Sequence, residues 1–207
     1  MGRLMIAGSF LFKNHFNVRN MANVLIVYSS TDGQTQKICH RLRVVIERQQ
    51  HQVTVVSIND VSQLDLTGFD KIVLGASIHY GHHSPQIIAF IEKNRHLLDS
   101  IPNAFFSVNL VARKPEKCTP ESNPYLQKFL KRIAWKPKEL AVFAGKIDYP
   151  SYSFFDRSII RLIMWVTKGP TGPTTVVEFT DWHQVELFGQ VIMEDLTAKQ
   201  DCKTSPH

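Results

Sequence analysis

From Met21 onward, short apolar runs alternate with stretches in which apolar residues recur at helical spacing. The runs are short enough for strands covered on both faces, and they occupy residues 24–28, 53–56, 71–75, 104–108 and 140–144. Helical spacing occupies residues 34–49, 86–98 and 181 to about 196, with Asp181 as the expected N-cap. This alternation predicts an α/β fold, a doubly wound five-stranded parallel sheet in the order 2-1-3-4-5.

The pattern also divides the chain into unequal parts. Residues 1–20 contain a short interrupted apolar patch and are predicted to be a poorly ordered N-terminal extension. Residues 21–197 form the predicted domain, and residues 198–207 a flexible tail. Residues 110–139, between the fourth and fifth strands, are longer than a plain connection, so we expect a functional insert there.

Basic side chains are concentrated in one region of the chain. The formal net charge is +6, yet residues 113–168 alone carry 12 basic and five acidic side chains, a net +7. Such a region favours an acidic small molecule or anionic lipid, whereas no recognisable nucleic-acid-binding module accompanies it. The three cysteines are too few and too scattered for a disulfide framework or a CxxC metal site.

The loop after the first strand has the composition of a phosphate-binding turn. Hydroxyls and amides crowd before a helix N-terminus, where free N–H groups and the helix dipole favour an anion. The candidate cofactor residues are Ser30, Thr31, Asp32, Gly33, Gln34 and Thr35. A hydroxyl-rich turn followed by a helix cap is the alternative.

Two further loops follow the third and fourth strands and should meet the first at the same edge of the sheet. The candidates around a planar ligand are Ser77, Ile78, His79, Tyr80, Gly81, Ser107, Val108, Asn109 and Leu110. His79, Tyr80 and His82 are candidate catalytic residues by position, since histidine titrates near neutrality. Metal binding is not expected, because no carboxylate and no helical histidine pair accompany the histidines. Arg113, Lys114 and Lys117 are candidate partners for substrate carboxylates, or ordinary exposed cations.

The first loop resembles the FMN phosphate signature of flavodoxins, since residues 26–35 read IVYSSTDGQT. Residues 75–82 (GASIHYGH), residues 106–117 (FSVNLVARKPEK) and the late Thr180-Asp181-Trp182 resemble the flavodoxin-like, quinone-dependent protoporphyrinogen IX dehydrogenases of bacteria. The resemblance covers about residues 21–196. It implies FMN, held at its phosphate by Ser30 to Thr35 and around its ring by the two later loops.

That resemblance also implies an activity and partners. The expected reaction is oxidation of protoporphyrinogen IX to protoporphyrin IX in haem biosynthesis, with menaquinone or ubiquinone as electron acceptor. The basic insert would receive the two propionates of the substrate. A flavodoxin-like electron carrier and an NAD(P)H:quinone reductase are the alternatives; electron carriers commonly present an acidic surface, unlike this chain.

Residues 154–167 (FFDRSIIRLIMWVT) have the profile of a helix at a membrane interface, with two arginines among aromatic and aliphatic residues. A helix packed on the sheet is the other interpretation. The quinone acceptor and the basic region together predict peripheral contact with anionic lipid, on the cytoplasmic side of the bacterial inner membrane.

Overall fold

The computed structural model describes residues 21–166 and 169–203, and side chains as far as residue 194. Its strands are β1 Asn23–Ser29, β2 Gln52–Ser57, β3 Lys71–His79, β4 His82–His83, β5 Asn103–Val108, β6 Glu139–Phe143, β7 Lys146–Asp148 and β8 Val176–Glu178. Its α-helices are α1 Gln34–Glu47, α2 Pro85–Lys93, α3 Arg95–Ser100, α4 Pro124–Arg132, α5 Phe154–Val166 and α6 Trp182–Lys203.

Five parallel strands form the main sheet in the order β2-β1-β3-β5-β6, which confirms the predicted doubly wound topology. Along β1, alternate side chains enter opposite layers of the core, because successive residues of a strand point to opposite faces. Leu25 and Val27 pack in the layer that contains helices α2 to α4, whereas Val24 and Ile26 pack in the layer that contains α1 and α6. Both faces of the sheet are therefore covered.

The helices differ from the prediction at two places. The helix expected over residues 86–98 is two helices that meet at Asn94, where the backbone leaves the helical conformation (φ −106°, ψ 16°). Both the N–H and the side chain of Asn94 donate to the carbonyl of Phe90, a local bond that asparagine favours at a helix end. The last helix begins as predicted, with Asp181 accepting hydrogen bonds from the N–H groups of His183 and Gln184. It continues to Lys203, so it includes part of the segment predicted as a tail. Residues 1–20 and 204–207 lie outside the described residues.

Two elaborations flank the sheet. The connection from β5 to β6 holds α4, which packs Leu126 and Phe129 into the core, and two short 3₁₀ segments at Leu110–Arg113 and Pro115–Lys117. A second elaboration lies between β6 and α6 and consists of the antiparallel pair β7-β8 and helix α5. The helical pattern at residues 154–167 predicted α5, but the sequence did not predict β7 and β8. No helix in the described part of the chain is both long and apolar enough to cross a bilayer.

Candidate active site

A cleft of about 440 Å³ lies at the carboxyl ends of β1, β3 and β5, where a doubly wound sheet binds its ligands. The three loops singled out in the sequence form one side of it. The second elaboration, through Gly145, β7, Tyr152 and α5, forms the other. The lining residues are Ser30, Asp32, Gln34, Thr35, Ser77, Ile78, His79, Tyr80, Gly81, Val108, Asn109, Leu110, Val111, Tyr125, Gly145, Lys146, Tyr152, Ile159, Ile160 and Ile163.

Most of the candidate cofactor residues thus meet in one place, and three of them stand behind the lining. The N–H of Thr31 donates to the hydroxyl oxygen of Ser77 at 3.3 Å, which joins the first loop to the second. Gly33 adopts φ 77° immediately before α1, a left-handed conformation that glycine adopts at little cost. Ser107 is fully buried beneath the cleft.

The first loop contains buried polar atoms without a hydrogen-bond partner in the described structure. They are the hydroxyl oxygens of Ser30 and Thr35 and the side-chain carbonyl oxygen of Gln34. A buried polar group left in this way costs about 1–3 kcal/mol, so such groups point to a ligand that completes them. Two hydroxyl donors at the N-terminus of α1 fit the phosphate of FMN, and the amide oxygen can accept from a ligand hydroxyl. These residues therefore fit the cofactor.

Thr180 holds this loop from a distant part of the chain. The side-chain nitrogen of Gln34 donates to the hydroxyl of Thr180 at 2.9 Å, and that hydroxyl donates to the carbonyl of Ala144 at 2.7 Å. The late Thr180-Asp181-Trp182 pattern thus has two structural roles, since Thr180 orients Gln34 and Asp181 caps α6.

The second loop is a β-hairpin, which the sequence did not reveal. His79 pairs with His82, and the two residues between them, Tyr80 and Gly81, have φ of 47° and 80°. Two successive positive φ values are the geometry of a tight hairpin turn, and tyrosine adopts it rarely. The hydroxyl of Tyr80 donates to a carboxylate oxygen of Asp156 on α5. Strain of this kind persists where surrounding contacts enforce it, and here the hairpin is tied to the opposite wall of the cleft.

Of the three candidate catalytic residues, His79 and Tyr80 line the cleft and His82 does not. The ring of His82 contacts the carbonyl of Tyr80 at 2.9 Å and the ammonium of Lys128 at 3.2 Å, on the outer side of the hairpin.

The neighbouring His83 is a supporting residue that sequence reasoning missed. Burial, helped by the charge of His82, lowers the pKa of His83 to about 3. Its Nε2 lies 3.0 Å from the hydroxyl of Ser107, which also accepts from the side chain of Asn109 at 3.3 Å. Asn109 in turn bonds the N–H of Ala112 and the side chain of Asn123. This network joins the hairpin, the loop after β5 and the first turn of α4 behind the cleft.

Acidic and phenolic groups at the cleft have raised pKa values. Desolvation raises the pKa of Asp32, and the nearby Asp156 and Asp148 add to the rise against the opposing effect of His79. Burial raises the pKa of Tyr152 to about 12, with a further contribution from Asp32. Two aspartates are exceptions. Hydrogen bonds from Ser153 and Tyr80 lower the pKa of Asp156, and a hydrogen bond from Lys146 lowers the pKa of Asp148. A phosphate near Asp32 would raise its pKa further.

The three candidate substrate residues do not line this cleft. Arg113 donates to the carbonyl of Leu110 at 2.9 Å and borders a second groove, along β6 and α6. Lys114 and Lys117 are partly buried and lie on the two short 3₁₀ segments or next to them. Lys146, by contrast, lines the cleft with its ammonium 2.7 Å from Asp148. Its position depends on β7, a strand that the apolar pattern did not predict.

Within the described residues no group of three or more histidine, cysteine, aspartate or glutamate side chains is arranged to hold a metal ion.

Most of this chain matches a known protein family. Residues 25–174 match the family described as "Flavodoxin domain". FMN is the cofactor of flavodoxin domains, so the match confirms the cofactor predicted from the sequence. A solved flavodoxin from the domain Archaea aligns with 84% of this chain and 99% of its own, at 15% identity and a TM-score of 0.47.

Curated relatives are much closer in sequence. The chain is 41% identical over 179 residues to Protoporphyrinogen IX dehydrogenase (quinone) of Escherichia coli strain K12, covering 86% of this chain and 98% of the relative. It is 42% identical over 165 residues to the protein of the same name from Leishmania major, covering 79% of this chain and 71% of that relative. The chain therefore belongs to the flavodoxin domain family and, within it, to the family of the quinone-dependent protoporphyrinogen IX dehydrogenases.

Proposed function

We propose that this protein oxidises protoporphyrinogen IX to protoporphyrin IX in haem biosynthesis and passes the electrons to a membrane quinone, menaquinone or ubiquinone. The observation that carries the proposal is the cleft itself. It combines a polar end, where unpartnered hydroxyls fit the phosphate of FMN, with an apolar end lined by Ile159, Ile160 and Ile163. The names of the curated relatives supply the substrate and the acceptor.

Different residues would bind the cofactor at the polar end of the cleft and the substrate at the apolar end. Ser30 and Thr35 would hold the phosphate, and Gln34, fixed by Thr180, would contact the polar chain that follows it. Bound FMN would supply the two-electron redox chemistry, three cycles for each porphyrinogen. Ile159, Ile160 and Ile163 would offer an apolar surface to the substrate at the other end.

A proton must leave the substrate with each pair of electrons. His79 is the proposed acceptor, because it lines the cleft and is exposed there, so it can pass the proton on to solvent. Tyr80, held by Asp156, would position the neighbouring edge of the ring.

Recognition of the porphyrinogen would depend on its two propionates. We assign the first contact to Lys146, which lines the cleft, and the outer contacts to Arg113, Lys114 and Lys117, which lie outside the cleft on the insert and would be met by a propionate that extends beyond it. Replacing each with alanine should raise KM for the porphyrinogen more than it lowers kcat, because a propionate contact made throughout the reaction contributes uniform binding.

Peripheral membrane contact, on the cytoplasmic face of the bacterial inner membrane, completes the proposal. Seven large apolar side chains of α5 are exposed: Phe154, Phe155, Ile159, Leu162, Ile163, Trp165 and Val166. The region from residue 113 to 168 carries a net +7. Each well-placed basic residue would add roughly 1 kcal/mol of attraction to anionic lipid.

Anaerobic mixing of the FMN-loaded protein with protoporphyrinogen IX tests the proposal. Bleaching of the flavin absorbance, reversed by a quinone and accompanied by porphyrin formation, is the expected result. Free FMN at the same concentration is the control. Bleaching by NADH or NADPH but not by the porphyrinogen would favour a quinone reductase instead, and failure of all these donors would favour an electron carrier.

A further inference from the structure

Helix α5 has an unusual distribution of apolar side chains. It rests on the protein through a narrow stripe that includes the buried Met164 and the partly buried Ile160. Ile159 and Ile163 face the cleft and are still 41% and 44% exposed. Most of the remaining circumference is apolar and exposed.

The exposed apolar side chains form one continuous strip. Residues three or four positions apart are neighbours on a helix surface, so Phe155, Leu162 and Ile163 each lie beside Ile159. Val166 in turn lies beside Leu162 and Ile163. The strip therefore runs without a charged residue from the outer face of α5 to the rim of the cleft.

The two arginines of α5 do not interrupt this strip. Both side chains bond to backbone carbonyls of the segments that flank the helix. Arg157 donates to the carbonyl of Tyr149 at 3.0 Å and Arg161 to that of Thr171 at 2.9 Å. At the start of α5, Asp156 accepts from Tyr80 on the opposite wall of the cleft. Polar groups thus anchor the helix on its inner side.

We propose that a lipid-borne quinone reaches the cofactor cleft sideways, over the rim formed by Ile159 and Ile163, while the outer face of α5 lies in the bilayer interface. The proposal rests on the proposed function, whose acceptor is a membrane quinone. Two observations favour a bilayer as the occupant of this face. The apolar strip is continuous with the cleft, which delivers a lipid-soluble ring to the site, and the surrounding segment is strongly basic, which suits anionic lipid.

Two double variants separate the outer face from the rim. Leu162→Ser with Val166→Ser alters the outer face, and Ile159→Asn with Ile163→Asn alters the rim. Leu187→Ser with Val191→Ser is the matched control, since it makes the same changes at the same spacing on α6, at residues that are also exposed. Retention of FMN and of the flavin spectrum is checked first in each.

The first measurement is binding to vesicles of phosphatidylcholine and phosphatidylglycerol by co-sedimentation. The outer-face variant should bind about tenfold or more weakly, whereas the control and the rim variant bind like the wild type. Brominated lipid should quench the fluorescence of wild-type Trp165, with Trp165→Phe as reference.

The second measurement is reoxidation of the flavin after chemical reduction, so it does not depend on any porphyrinogen reaction. With a long-chain quinone in vesicles, both variants should be reoxidised about tenfold more slowly than the control. With a short-chain soluble quinone, the outer-face variant should match the wild type.

Three results would overturn the proposal. The wild type does not bind vesicles, or the rim variant is reoxidised by the vesicle-borne quinone at the wild-type rate. The third is that the wild type sediments as a dimer and the outer-face variant as a monomer, which would make this face a protein interface. If the proposal holds but porphyrinogen fails to bleach the flavin, only the proposed substrate is wrong.

Discussion

Thr35→Val should have opposite effects on the apoprotein and on cofactor binding. Thr35 is fully buried at the start of α1, and its hydroxyl has no partner in the described structure. An unsatisfied buried hydroxyl costs about 1–3 kcal/mol, which a methyl group of similar size removes. The free energy of unfolding of the FMN-free protein should therefore rise, by about 1 kcal/mol. If the hydroxyl donates to the phosphate, a charge-assisted bond of about 1.5–3 kcal/mol is lost, which raises Kd for FMN about 10- to 100-fold.

Urea unfolding of the apoprotein and fluorescence titration with FMN measure the two effects. Thr180→Val is the matched control, because its buried hydroxyl has two partners, Gln34 and Ala144. That variant should destabilise the apoprotein by about 1–3 kcal/mol. The assignment of Thr35 to the phosphate is refuted if its variant destabilises the apoprotein as Thr180→Val does, or if Kd for FMN does not change.

Three further changes test the supporting structure. Burial lowers the pKa of His83 to about 3 in the fold, against about 6.5 in the unfolded chain. The neutral ring therefore contributes fully to the free energy of unfolding above pH 6.5, and this contribution falls by about 1.4 kcal/mol per pH unit between pH 6.5 and pH 3. In His83→Gln, the free energy of unfolding measured in urea should depend less on pH in this window. A Cβ on Gly75 would lie 2.2 Å from Phe106, so Gly75→Ala should cost about 1–3 kcal/mol in thermal unfolding, and adding Phe106→Leu should recover most of it. Lys71 is buried 2.9 Å from Glu139, so Lys71→Met should cost about 3–5 kcal/mol in urea, while adding Glu139→Leu should restore stability.

The sheet could be predicted because each of its strands and helices is specified by a pattern of neighbouring residues. Each central strand is a short apolar run, and each crossover contains a helix with one apolar face, so the order of the strands followed from the rules for parallel sheets. The break at Asn94 was not predicted, because the apolar spacing continues across it and only the backbone conformation of this one residue departs from the helix.

The phosphate end of the cleft could be predicted for the same reason. Ser30 to Thr35 are contiguous and precede a helix, so composition alone indicates an anion site. The hairpin turn was hidden, because tyrosine is not a residue that signals a positive φ. The opposite wall was hidden because it is assembled from contacts across the sequence, such as Tyr80 with Asp156.

The polar end of the cleft could be predicted and the apolar end could not, and the two ends also differ in how they would bind a ligand. At the polar end, donors left unsatisfied by the protein give a ligand its binding energy, so that end would retain the cofactor. At the apolar end, the wall is a helix that rests on few side chains and remains largely exposed. Interactions there are weak and non-directional, which suits molecules that must arrive and leave in each cycle. A porphyrinogen and a quinone would then use the same open end in turn, and the firmly held cofactor would be their only connection.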